Sequence, residues 1–174
     1  MRVGMKERNM LRLLLEMMKN SRRSDRDLAK VLGVSQPTVT RTRQRLEKEY
    51  IRAYTLIPEF EKIGYEIAAF TFCKSKSHEK DETEKMMRHA TDWCKKYPNV
   101  IFAAYGEGLG KDAVMVSFHR NYSQYADFMR QFAVDWANYA IDLQSFLVSL
   151  KSDVQMRPFD LKCLANDKSI LEQL

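Results

Sequence analysis

The chain has 174 residues, of which 45% are hydrophobic and 30% charged, a globular balance that excludes wholesale disorder. Residues 1–55 hold 14 Lys and Arg against 6 Asp and Glu, whereas residues 56–174 hold 15 against 17. This asymmetry predicts a polyanion-binding module joined to a part with another role. The sequence has no apolar run of bilayer length and no signal-peptide core near residue 1, so we expect a cytoplasmic protein with no membrane partner.

The basic first third is predicted to begin with two helices. Residues 6–19 carry apolar side chains at three- and four-residue steps, which is typical of one face of a helix. Ser24 is a suitable N-cap for a second helix over residues 25–32, and Gly33 stands where a left-handed residue ends a helix. The inward residues expected in the first helix are Met10, Leu11, Leu14, Leu15 and Met18.

A third helix is predicted over residues 36–49, after a short turn. Ser35 caps it, and Pro37 falls in the first turn, where its missing N–H has no consequence. Val39 and Leu46, seven residues apart, are expected to face inward. A short helix, a turn containing glycine and a capped third helix form the helix-turn-helix arrangement.

The outward face of the third helix has the side chains of a major-groove reader. Arg pairs with guanine, Gln pairs with adenine, and Thr contacts the methyl group of thymine. No acid occurs from residue 36 to residue 46, whereas a merely solvated helix, the alternative interpretation, would mix Glu with Lys. Gln36, Thr38 and Thr40 are predicted to contact bases, and Arg45, Arg22 and Arg23 to contact phosphates. Arg41 could contact either a base or a phosphate. The remaining predicted DNA-binding residues are Ser35 and Gln44.

A strand is predicted immediately after the third helix. Aromatic and β-branched residues alternate with polar ones between Tyr50 and Leu56, and Pro58 ends the pattern. This strand would either form the wing of a winged helix-turn-helix or carry the chain away from the wing.

The stretch from Ser24 to Tyr65 resembles the Lrp/AsnC family of prokaryotic transcription regulators. The matching pieces are DLAKVLGVS, TV-x-R-x-x-x-RLE, an Ile-x-x-Tyr strand and Ile63-Gly64-Tyr65. Two positions depart from the family pattern: Arg43 stands where Val or Ile is usual, and Tyr50 stands where Gly is usual. Arg43 is expected to lay its stem over the core and to reach a phosphate or an acid, and Tyr50 to change the chain reversal at the helix end.

The second part is predicted to have the order β-α-β-β-α-β, which is the ferredoxin-like split motif. The expected strands are 67–73, 100–105, 113–118 and 141–150, and the expected helices are 82–96 and 122–139. Both helices would cover one face of a four-stranded antiparallel sheet. Dimerisation through the other face would cover its apolar side chains.

The predicted fold class is therefore α+β, with four segments along the chain. They are a winged helix-turn-helix domain over 1–56, a linker over 57–65, a ferredoxin-like dimerisation and effector domain over 66–155, and a C-terminal extension over 156–174.

The resemblance implies a sequence-specific DNA-binding regulator that forms a dimer or larger homo-oligomer and responds to a small effector such as an amino acid. In the family, effectors bind between subunits near the hairpin turn that corresponds to residues 106–112. Gly106 and Asp112 fit the Gly…Asp pattern of that turn. The turn is longer and richer in glycine than is usual, which leaves open a flexible hairpin with no ligand.

We expect no catalytic residues, no metal and no cofactor. Cys73, Cys94 and Cys163 form no CxxC pair and are interpreted as reduced structural residues. The three histidines have no metal or triad spacing, and no nucleophile motif occurs.

Two alternatives remain open for a chain of this architecture. One is a tetrapyrrole-processing protein, similar to the sirohaem decarboxylases, that does not bind DNA; the basic third helix disfavours it. The other is a pure ligand sensor whose helix-turn-helix docks a protein. For a DNA-binding transcription regulator, the expected partners are double-stranded DNA, a second copy of the chain and a small-molecule effector.

Overall fold

A computed structural model describes residues 5–151, 153, 155–167 and 169–172, with backbone alone at 5, 6, 171 and 172. The helices are α1 Met5–Lys19, α2 Asp25–Leu32, α3 Gln36–Glu49, α4 Lys80–Lys96, α5 Tyr122–Asp135 and α6 Ser169–Glu172, with 3-10 helices at Phe60–Ile63 and Lys162–Asn166. The strands are β1 Ile67–Ser75, β2 Val100–Gly108, β3 Lys111–His119 and β4 Ala140–Ser149. The α+β class, the helix-turn-helix and the βαββαβ order are confirmed.

The chain forms two compact units. The first runs to Ile57 and resumes at Arg157, and the second comprises Pro58–Met156. The C-terminal extension thus joins the N-terminal unit, where its 3-10 helix packs on α1. No pattern in the sequence had indicated this return of the chain.

The core of the first unit lies between α1, α2 and α3. Val39 and Leu46 are buried, as predicted, and pack with Leu28 of α2. The predicted inward face of α1 was partly wrong, because Leu13 and Met17 are buried where Leu11 and Met18 were expected. The reason is that α1 is covered on more than one side, by α2 and α3 and by the tail.

The predicted caps of α2 and α3 are present. Ser24 Oγ accepts from the N–H of Asp27 at 3.1 Å, and Ser35 Oγ accepts from the N–H of Thr38 at 3.4 Å. Gly33 ends α2 with φ 69°, a left-handed conformation that a Cβ disfavours. These local bonds satisfy helix-end N–H groups and fix where α3 begins.

The strand predicted over Tyr50–Leu56 is wrong. Residues 51–59 have no regular secondary structure, and a strand needs a pairing partner, which the described part of the first unit does not offer. The helix-turn-helix is therefore observed without a wing. α3 ends at Tyr50 with φ −126°, and the N–H groups of Tyr50 and Ile51 both donate to the carbonyl of Leu46 at 2.8 Å. Tyr50 thus ends the helix without the left-handed residue that glycine would supply.

The second unit is an antiparallel sheet of order β2-β3-β1-β4. Trp93 of α4 and Phe128 and Phe132 of α5 pack with Met115 of β3, so both helices cover the same face. The hairpin turn is shorter than predicted, since the strands run to Gly108 and resume at Lys111. The two residues between them, Leu109 and Gly110, have φ of 54° and 68°, which matches the twist of a tight hairpin.

The opposite face of the sheet is apolar and largely uncovered. Cross-strand neighbours place Phe102, Val116, Phe70 and Phe146 in one row across all four strands. Successive strand residues alternate between faces, and Ser145 approaches Met129 of α5, so Phe146 points away from the helices. Phe102 is 53% exposed, Phe70 36% and Phe146 68%. We call this row the open-face row.

Candidate nucleic-acid interface

The exposed side of α3 forms one polar surface at the N-terminal end of the helix. Gln36, Pro37, Thr40, Arg41 and Gln44 line a shallow hollow there. Among the residues that the structure describes, the side chains of Gln36, Arg41 and Gln44 have no hydrogen-bond or ion-pair partner. Two amides and one guanidinium are thus presented together and free to bond base edges.

The threonines of this surface are less available than the amides. Thr38 Oγ1 lies 2.8 Å from Ser35 Oγ, within the cap of the helix. Thr40 Oγ1 donates to Asp25 Oδ2 at 2.6 Å and lies 3.2 Å from the carbonyl oxygen of Gln36. The hydroxyl of Thr40 is therefore engaged within the unit, which leaves its methyl group to contact a base.

Two arginines assigned to phosphates are paired with acids. Arg23 Nη1 donates to Glu16 Oε2 at 2.6 Å, and Arg45 Nε donates to Glu49 Oε2 at 2.9 Å. The Arg45 pair is about half exposed on both sides, and water screens such pairs so that they contribute little to stability. A phosphate can therefore compete for Arg45. Arg22 has no ion pair within the described residues, and its side chain is exposed.

Arg43, the first departure from the family pattern, reaches an acid. Its Nε donates to Asp25 Oδ1 at 2.7 Å, and its Nη2 donates to the carbonyl of Arg23 at 3.1 Å. The Thr40 hydroxyl, with Arg43 beside it, holds the pKa of Asp25 below its ordinary value. The link from Asp25 to α3 spans 18 residues and has no local signature in the sequence.

The two effector residues predicted in the second unit lie on neighbouring strands of the hairpin. Asp112 accepts from the N–H of Ser75 at 2.9 Å and from its hydroxyl at 2.8 Å, and lies 3.6 Å from His78 Nε2. The carboxylate is thus bound to the end of β1. Gly106 is exposed, and a Cβ there would meet nothing within 4 Å, so its backbone does not require glycine.

A cavity of about 380 Å³ lies in the second unit between α4 and the sheet. Its wall includes Ser75 and Ala113, which are neighbours of Asp112, together with both tryptophans of the chain, Trp93 and Trp136. Cys73 also lines it, and burial raises the pKa of this thiol to about 11, so that it is protonated at neutral pH. The lining is mostly apolar and sulfur-rich.

Within the described ranges, no three His, Cys, Asp or Glu side chains come together in a way that would hold a metal ion. A membrane-crossing helix is also not found there, since each described helix is too short or too polar to cross a bilayer.

Comparison with known protein families identifies the helix-turn-helix of the first unit. Residues 11–47 match the family model of the AsnC-type helix-turn-helix domain. No curated protein sequence matches the chain significantly. The resemblance noted in the sequence is confirmed for the helix-turn-helix.

Solved structures share the fold over nearly the whole chain. AsnC of E. coli has a TM-score of 0.67 at 18% identity, covering 91% of this chain and 99% of that one. An AsnC family transcriptional regulator from Agrobacterium tumefaciens has a TM-score of 0.71 at 17% identity, covering 88% of this chain and 93% of that one. The transcriptional regulator NMB0573 of Neisseria meningitidis, solved as a complex with L-Met, has a TM-score of 0.68 at 20% identity, covering 94% of this chain and 99% of that one. At these identities the likeness establishes the fold.

Proposed function

We propose that this chain, which combines an AsnC-type helix-turn-helix with the fold of the AsnC regulators, is a sequence-specific DNA-binding transcription regulator and not an enzyme. The observation that carries this proposal is the exposed surface of α3, where Gln36, Arg41 and Gln44 stand free within a stretch that holds no acid. The excess positive charge of residues 1–55 supplies the attraction to phosphates.

The experiment that tests the proposal is a titration of the purified protein with duplex DNA from upstream of its own gene. Fluorescence anisotropy in dilute buffer is expected to show binding, and the logarithm of affinity should fall linearly with the logarithm of salt concentration as counterions are released. Protein that ignores duplex DNA in dilute buffer would contradict the proposal and favour a ligand sensor or a tetrapyrrole-processing protein.

Replacing Gln36 with Ala is expected to change which sequence is preferred. Loss of a bidentate contact to adenine should weaken discrimination at one base pair by about 1–3 kcal/mol and leave other positions unaffected. Competition binding with singly substituted duplexes measures this. The matched variant is Arg45→Ala, which should weaken all sequences alike and reduce the salt slope by about 1. An equal loss on every sequence for Gln36→Ala would rule out its role at a base.

We infer that the chain acts as a homodimer or larger homo-oligomer assembled through the open-face row. Three phenylalanines exposed in line across a sheet are unusual for a monomeric surface, and contiguous apolar patches of this kind mark interaction sites. A dimer would present two copies of α3, as expected for half-sites about 10 base pairs apart, or a multiple of that distance.

We also propose that the second unit takes a small effector such as an amino acid, near Gly106 and Asp112. Support comes from the cavity beside Asp112 and from the L-Met complex of the Neisseria protein, which has the same fold. Because Asp112 already accepts two bonds from Ser75, an effector that used this carboxylate would have to displace the end of β1.

A further inference from the structure

One carboxylate joins α2 to α3 in the first unit. Asp25, the first residue of α2, accepts from Thr40 Oγ1 at 2.6 Å through one oxygen and from Arg43 Nε at 2.7 Å through the other. Arg43 extends the connection by donating to the carbonyl of Arg23 at 3.1 Å. We call Asp25, Thr40 and Arg43 the Asp25 clamp.

The clamp is better shielded from water than the Arg45–Glu49 ion pair of the same helix. The side chains of Arg43 and Asp25 are 18% and 20% exposed, whereas those of Arg45 and Glu49 are 50% and 42% exposed. A hydrogen bond between ionised groups is roughly twice as strong as a neutral one, and partial shielding from water lessens its screening. The clamp therefore holds its geometry more firmly than a surface pair does.

The apolar core leaves one freedom of α3 weakly determined. The two buried residues of α3, Val39 and Leu46, are two turns apart and fall on nearly one line along the helix. A helix held along one line can roll about that line. Thr40 and Arg43 lie beside this line, and their bonds to Asp25 give α3 a second line of attachment.

We propose that Asp25 and Arg43 are positioning residues for sequence readout, which fix the roll of α3 and thereby the direction in which Gln36, Arg41 and Gln44 point. The inference rests on the proposed DNA-binding function. It assigns a role to Arg43, whose guanidinium bonds Asp25 of α2 and the carbonyl of Arg23. Arg43 acts through the helix and need not contact DNA.

The test uses Asp25→Asn, because loss of its charge and loss of the clamp are expected to change two different quantities, the overall affinity for DNA and the discrimination between sequences. Loss of a negative charge strengthens binding to every duplex. Loss of the clamp lowers only the discrimination. The full-length wild-type protein is first used to select preferred sequences from a randomised duplex library, and the ratio of its dissociation constants for scrambled and selected duplexes is measured. For Asp25→Asn we expect this ratio to fall about tenfold, with affinity for the scrambled duplex equal or higher.

The matched control is Asp27→Asn. Asp27 lies in the same turn of α2 and carries the same charge, but its side chain bonds Ser24 and not α3. The ratio for Asp27→Asn should equal that of the wild type. Arg43→Lys keeps the positive charge but not the planar guanidinium, so its ratio should lie between those of Asp25→Asn and the wild type. If circular dichroism shows Asp25→Asn to be unfolded, Arg43→Lys is used in its place.

The outcomes separate the two levels of the proposal. If Asp25→Asn has the same ratio of dissociation constants as Asp27→Asn and the wild type, the positioning role is overturned and the DNA-binding function stays intact. If Asp25→Asn is unfolded, a wild-type ratio for Arg43→Lys leads to the same conclusion. A wild-type protein that binds duplexes but selects no sequence contradicts the readout function itself, and the positioning role with it.

Discussion

Replacing Phe146 with Glu is expected to make the protein monomeric and to weaken DNA binding by about 100-fold or more. Phe146 is 68% exposed at the β4 end of the open-face row, beside Phe70. In a dimer joined through this face, the new carboxylate would be desolvated without a partner, which costs several kcal/mol. The DNA affinity falls because two linked half-site contacts gain about 10² to 10⁴ over one alone.

Light scattering after size-exclusion chromatography measures the mass, and anisotropy on the same samples measures the affinity. Val134→Glu is the matched control, since Val134 is 70% exposed but lies on α5, which covers the other face of the sheet. It should remain dimeric and bind DNA as the wild type does. A Phe146→Glu protein of unchanged mass would show that the open-face row is not the interface.

The parts of the fold that local chemistry determines could be predicted from sequence. Ser24, Gly33 and Ser35 act on residues within a turn or two of themselves, so the ends of α2 and the start of α3 were found correctly. Strand and helix order in the second unit followed from hydrophobic periodicity together with the turn residues between the elements. Which face of the sheet lacks a cover also follows from the order of its elements.

The parts that depend on distant residues could not be predicted. The buried face of α1 is set by a tail more than 140 residues away, which no pattern within the helix records. The residues after Tyr50 have the composition of a strand, but the part of the first unit that the structure describes gives them no strand to pair with. Instead, Ile51 packs on the core, and the Tyr54 hydroxyl donates to Glu47 at 2.9 Å. Composition gives the tendency to form a strand, and only a partner realises it.

The candidate site shows the same division. The exposed amides and Arg41 could be named from helical periodicity, because exposure is a local consequence of which residues face the core. That the Thr40 hydroxyl and Arg43 face Asp25 depends on how α2 and α3 pack. The Asp112 carboxylate is likewise occupied by a residue 37 positions away.

The second large effect concerns His119, which is fully buried at the end of β3. Its Nε2 lies 2.8 Å from Ser117 Oγ, and its ring contacts Tyr125 and Phe128, with centroids 5.4 and 5.0 Å away. No acid contacts it among the described residues. Burial lowers the pKa of His119 from 6.5 to about 4, because the charged imidazolium would lose its hydration without gaining a counter-charge.

The second unit is therefore expected to lose stability on mild acidification. Below pH 6.5 the unfolded chain protonates His119 while the folded chain does not, so the free energy of unfolding is at its full value above pH 6.5 and falls as the pH drops towards 4. The loss should be on the order of 3 kcal/mol, since one unit of pKa corresponds to about 1.4 kcal/mol. Urea unfolding between pH 7 and pH 4 at constant protein concentration measures it.

Tryptophan fluorescence isolates this unit, because Trp93 and Trp136 both lie in it. The control is His119→Gln, which keeps a polar group near Ser117 but does not titrate, and comparison with it removes the contribution of carboxylates that protonate near pH 4. The wild type should lose more stability than His119→Gln over this range, and the difference should level off below pH 4. Parallel pH profiles for the two proteins would mean that His119 is hydrated or charged in the folded state, against its complete burial in the structure.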